Sequence, residues 1–102
     1  MPTNVIVTTT NRGVYFGLCD RPAYDAKSAE EQSVIVLTQM RHVYSWESHG
    51  GKEDGISALA TLGPAKGSRV GPPVPRITIR NVQNVIDVAE AALAVWERSS
   101  WR

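Results

Sequence analysis

Cysteine is nearly missing from this chain: Cys19 is the single thiol among 102 residues. No internal disulfide and no cysteine-based zinc site can form, and the composition suits a reducing compartment. Cys19 itself is expected to be a small buried strand residue, because free cysteine packs as an apolar group. Long apolar runs are missing too. None approaches the roughly 20 residues that a spanning helix needs, and the N-terminus does not read as a secretory leader. A cytosolic location with no membrane partner is expected. The net charge is only +1, so no global field of the kind that draws proteins to nucleic acid exists. Nucleic acid is therefore not an expected partner, and any electrostatic function must be local.

Histidine is scarce, with His42 and His49 the only two. Neither stands at a spacing that makes a nucleophile–base pair with Cys19, and no nucleophile elbow, paired-carboxylate spacing or metal motif is visible. His49 with Glu47, Glu53 and Asp54 offers metal-compatible ligand types, but at a spacing that fits no derivable site geometry. The chain is read as non-enzymatic, with no cofactor and no metal.

What is present is ordinary globular material, 42% hydrophobic and 21% charged, enough for one domain over residues 1–102. Asn4 to Thr10 and Val14 to Cys19 are two β-rich runs around an Asn-x-Gly turn and predict a hairpin. Gly17 inside the second run predicts a bulge or a close backbone approach. Asp20 to Gln32 reads as a solvated loop with one helical turn beginning near Ser28, and Tyr24 is its one residue able to pack or bind. Ser33 to Thr38 is a short apolar run that suits a strand covered on both faces. Beyond it, alternation puts Met40, His42, Tyr44 and Trp46 on one face and Arg41, Val43 and Ser45 on the other. His42 is expected to be a packed structural residue among aromatics.

Ile56 to Leu62 is ambiguous between a strand and a helical turn, and Gly63-Pro64 stops it. Asn81 to Asn84 reads as an interruption after the strand at Ile77 to Ile79, with β pattern resuming at Val85. Ala89 to Arg98 is rich in helix formers, with Asp87 and Glu90 at capping-box spacing. Ala92, Val95 and Trp96, with Ala89 behind them, form the stripe that would lie across the sheet. The expected fold is α+β: a small antiparallel sheet or partly open barrel with one C-terminal helix packed on it. The apolar strand set looks large for one short helix to cover, so a homo-oligomer is expected.

The segment from Gly63 to Arg80 carries Lys66, Arg69, Arg76 and Arg80 and no acidic residue. It fails as a Walker loop, because Ser68 and Arg69 rather than Lys and Ser or Thr follow the second glycine. As an anion-binding loop it offers Lys66, Arg69, Arg76 and Arg80 as cations, a hydroxyl at Ser68 and accessible backbone N–H groups near Gly67. Tyr44 and Trp46 would add a stacking surface for a base. These eight residues are the candidate ligand site.

Four stretches carry a resemblance: RGVYFG at 12–17, RHVYSW at 41–46, SALATLGPAKGSRVGPPVPRITIRNV at 57–82 and AVWERSSW at 94–101. Together they are similar in order and spacing to a family of small phage and prophage accessory proteins with no assigned activity. What the resemblance implies is a protein of the host cytoplasm that counteracts host defence. Joined to the basic loop, it implies sequestration of a phosphorylated small ligand such as a cyclic oligonucleotide. The alternative it implies is an inhibitor that binds a host defence protein, as anti-CRISPR proteins do.

Overall fold

The β-branched run near the N-terminus pairs as its pattern predicts. In the computed structural model, β1 (Thr3–Thr9) and β2 (Val14–Cys19) form an antiparallel hairpin with Thr3 opposite Cys19 and Thr8 opposite Val14. The structure describes residues 2–10, 13–45, 60, 63 and 69–98, with the backbone alone at Tyr44, Ser45, Arg69 and Arg98.

Residues 20–32 are more ordered than a solvated loop. Asp20 caps a short helix α1 (Arg21–Asp25), accepting from the Ala23 N–H at 3.4 Å, and Pro22 sits in the first turn, where its missing N–H costs nothing. The turn expected near Ser28 is present: Ser28 and Glu31 exchange side chain-to-backbone hydrogen bonds at 3.1 and 3.3 Å in a capping box. It leads into a 3-10 turn at Glu31–Ser33. Tyr24 is buried, and its hydroxyl donates to the Gln32 carbonyl, tying α1 to that turn.

The two apolar stretches on either side of Gln39 are one strand, β3 (Val34–Ser45). Gln39 has φ 53°, and across it the register against β2 slips by one residue: Leu18 faces Thr38, whereas Phe16 faces Arg41. This bulge reverses the alternation. Ile35 and Leu37 before it and Met40 and His42 after it therefore share one face, while Arg41 and Val43 take the other. Gly17 lies across from the bulge. A Cβ there would come within 3.1 Å of Leu37 Cβ and 3.2 Å of the Thr38 carbonyl, so the close approach predicted for Gly17 is real.

Two residues, β4 (Arg69–Val70), pair with the C-terminal end of β3, and β5 (Val74–Arg80) pairs with its N-terminal part. The strand β6 (Val82–Asp87) pairs with β1 on the far side of the hairpin. The sheet order is β6-β1-β2-β3-β5, antiparallel throughout, with β4 extending the β5 edge. Only Asn81 separates β5 from β6, so the interruption expected over Asn81 to Asn84 is a single residue, with φ 59°. Arg80 and Val82 can be at most about 7 Å apart, whereas the two edges of a flat five-stranded sheet lie about 19 Å apart. The sheet must therefore curl until its edges approach. They do not pair with each other, so the curl stays open, a partly open barrel.

Curling gives the sheet two cores. The concave face encloses Val5, Val7, Ile35, Leu37, Met40 and Ile79, with Cys19 and Tyr24 at one end. The convex face carries Ile6, Val14, Phe16 and Val43, covered by α2 (Glu90–Arg98) and by Ala60. Ala92 and Trp96 of α2 are fully buried there, and Trp96 stacks on Phe16 with ring centroids 4.1 Å apart. Of the stripe read from the sequence, Ala92 and Trp96 are buried, whereas Ala89 and Val95 are half-buried. Asp87 is not the helix cap that its spacing suggests: it closes β6, and its carboxylate lies 3.3 Å from Arg21 Nε. The second sheet face is covered by the curl itself, and Val74 is the one exposed large hydrophobic among the described residues. No helix among them is long and apolar enough to cross a membrane.

Candidate functional site

The basic residues of the Gly63 to Arg80 segment are distributed along β3 rather than gathered. Arg69 lies across from Ser45, Arg76 across from Thr38 and Arg80 across from Val34. Arg69 and Arg80 thus sit at opposite ends of β3. The backbone of Tyr44 lies beside that of Arg69, so these two candidates share the C-terminal end of β3. Lys66, Gly67, Ser68 and Trp46 lie outside the described residues, as do His49 and the acids around it. Arg76, Thr78 and Arg80 are exposed and alternate with the inward Ile77 and Ile79 on β5. No carboxylate among the described residues pairs with Arg76 or Arg80.

Arg80 does meet an aromatic surface, though not the one read from the sequence. A cavity of about 380 Å³ is lined by Ile77, Thr78, Ile79 and Arg80 of β5 and, opposite them, by Thr9, Gly13, Tyr15 and His42. Consecutive residues of a strand point to opposite faces. A cavity that touches four in a row therefore runs along the strand's edge, where the unpaired backbone N–H and C=O groups project. The slot lies between this edge and residues of β1, β2, their connecting turn and β3.

The slot's far wall is built by cross-strand pairing. Tyr15 faces His42, and their rings stack at 4.8 Å with planes 17° apart. Gly13 makes room for the Tyr15 ring: a Cβ at Gly13 would lie 2.8 Å from it and 2.8 Å from Thr9 Oγ1. The Gly13 N–H donates to that same hydroxyl at 3.0 Å. Burial holds the His42 pKa below its ordinary value, so at neutral pH the ring is uncharged. One wall is thus a neutral π surface, and the other carries a guanidinium, the Thr78 hydroxyl and strand-edge N–H groups. That combination suits a ligand with an aromatic ring and an anionic group.

A second cavity, of about 300 Å³, lies beside α2 and includes Phe16, Leu18, Leu93 and Trp96 with Arg41 and Glu97. Arg41 is buried; its Nε donates to the Gly71 carbonyl at 2.9 Å and its Nη1 to the Trp96 carbonyl at 2.8 Å. It satisfies a carbonyl in the last turn of α2, where a cation also complements the helix dipole. Arg41 is structural, holding helix, β3 and the turn after β4 together. The Trp96 indole N–H is buried without a hydrogen-bond partner among the described residues. Cys19 is buried, and burial raises its thiol pKa, against a nucleophilic role. No group of His, Cys, Asp and Glu among the described residues is arranged to hold a metal ion.

Thr9, Gly13 and Tyr15 are the slot residues that sequence reasoning passed over, and His42 it assigned to packing alone. Fold and site together define a small α+β domain, a curled antiparallel sheet with the C-terminal helix on its convex face and a ligand-sized slot along the β5 edge. The chain belongs to the family described as Domain of unknown function (DUF6948), whose model matches residues 2–96. No curated protein and no solved structure matches it.

Proposed function

We propose that the chain is a non-enzymatic accessory protein that binds and sequesters a phosphorylated small ligand, such as a cyclic oligonucleotide signal, in the slot along β5. One observation carries this reading. Arg80, without an ion-pair partner among the described residues, shares a cavity with the Tyr15–His42 stack. A base laid against the stack would place its phosphate toward Arg80, the Thr9 and Thr78 hydroxyls and the open N–H groups of β5. Arg76 lies on the same side of the strand, four residues away, and would serve a second phosphate. The anti-defence role in a host cytoplasm rests on the resemblance of the 12–17, 41–46, 57–82 and 94–101 stretches to phage proteins.

Calorimetric titration of the folded chain with a panel of cyclic di- and trinucleotides tests the reading. One of them should bind and be recovered chemically unchanged. Arg80→Ala should weaken that binding by about 1.5–3 kcal/mol, the usual loss for a charge-assisted contact, while Arg69→Ala, at the other end of β3, should weaken it less. Absence of heat from every member of the panel overturns the proposal.

A further inference from the structure

We infer that the outer edge of β6 is a docking edge for an extended, basic peptide segment of a partner protein. β6 pairs with β1 on one side only. Along its other side runs a cavity of about 400 Å³ that touches Val82, Gln83, Asn84 and Val85 in succession. By the alternation rule this cavity too lies along a strand edge and not on a face. The opposite wall is α1 and the 29–33 segment, which offer no strand to continue the ladder. No backbone hydrogen bond runs from the outer side of β6 across the cavity to another described residue; Arg21 reaches the end of the strand through its ion pair with Asp87. A row of strand donors and acceptors that faces a walled groove is the geometry by which an extended peptide adds to a sheet.

The size of the groove and its charge name the occupant. About 400 Å³ takes a few residues of one extended chain. Asp25 and Asp87 present carboxylates that are 57% and 62% exposed, whereas Arg21, which bridges them, is 26% exposed. Of the 29–33 segment, Ala29, Gln32 and Ser33 line the groove, and Lys27 turns its ammonium over the Tyr24 ring at 5.7 Å. Two carboxylates sharing one guanidinium leave the groove with a net negative charge, which favours a peptide carrying Lys or Arg. The β5 edge, with Arg76 and Arg80, has the opposite sign, so the two open edges select different ligands.

The experiment is selection of random short peptides displayed against the full folded chain, followed by hydrogen exchange with the peptides obtained. The selected peptides should be basic and poor in proline. They should slow exchange of alternate amides within 82–87 on the order of tenfold. Methylating their backbone nitrogens along one edge should abolish binding, and Asp87→Asn should weaken it severalfold without loss of fold. Three outcomes overturn the inference: no peptide selected; peptides that leave the β6 amides unprotected or tolerate N-methylation; and β6 protection that rises with protein concentration alone, which would assign the edge to a second copy.

Discussion

Arg41 and His42 are neighbours in sequence, yet the pleat sends them to opposite faces with opposite consequences. Arg41 joins β3 to the last turn of α2 and to Gly71 through two buried hydrogen bonds. Arg41→Ala leaves both carbonyls without that donor and should destabilise the fold by about 3 kcal/mol in urea unfolding. Lysine, lacking the fork, should rescue only part of the loss. His42 faces the slot, and its folded pKa lies below the unfolded value, so the unfolded chain takes up its proton first. Stability from this residue is present above about pH 6.5 and is lost as pH falls toward the depressed folded value. Urea midpoints measured between neutral and mildly acidic pH should fall for the native chain, and more shallowly for His42→Phe, which keeps a ring against Tyr15. Individual roles of this kind were only partly legible. Cys19 and Trp96 could be placed from composition and helical period, but nothing local marks Arg41 as the anchor of a helix more than fifty residues away.

At the scale of elements, two non-glycine residues with positive φ decide the architecture. Gln39 bulges β3, and Asn81 turns β5 directly into β6. Asn tolerates the left-handed region better than most residues, and a β-branched side chain there is an outlier. Asn81→Gly should be nearly neutral, whereas Asn81→Val should cost about 1–2 kcal/mol and slow folding, because the joint holds together the two edges of the curl. Thermal unfolding and refolding rates of the two variants check this. Strand and helix identities were legible because β-branched runs and the Ala92–Trp96 stripe have clear periods. The bulge was not, since Gln39 carries no glycine signature, and without it the pairing of Tyr15 with His42 cannot be derived. The Asp87–Glu90 spacing misled for a physical reason: a carboxylate at the end of a strand found a guanidinium, Arg21, from a distant helix.

For the whole molecule, curling resolves a problem that the sequence poses and does not answer. Apolar residues stand on both faces of the central strands, and among the described residues α2 and Ala60 cover only one. Folding the sheet around its own concave face buries the other and brings the β5 edge over Thr9, Gly13, Tyr15 and His42, which forms the slot. The candidate site therefore combines what was legible, the cation at Arg80, with what was not, an aromatic wall assembled from β2 and β3. Chemical-shift mapping of the full chain during titration with the cyclic nucleotide that binds tests the central claim most directly. Shifts at Thr9, Gly13, Tyr15, His42 and Ile77 to Arg80 are the predicted result. Binding that leaves those residues unmoved, or none by any nucleotide in the panel, would contradict it.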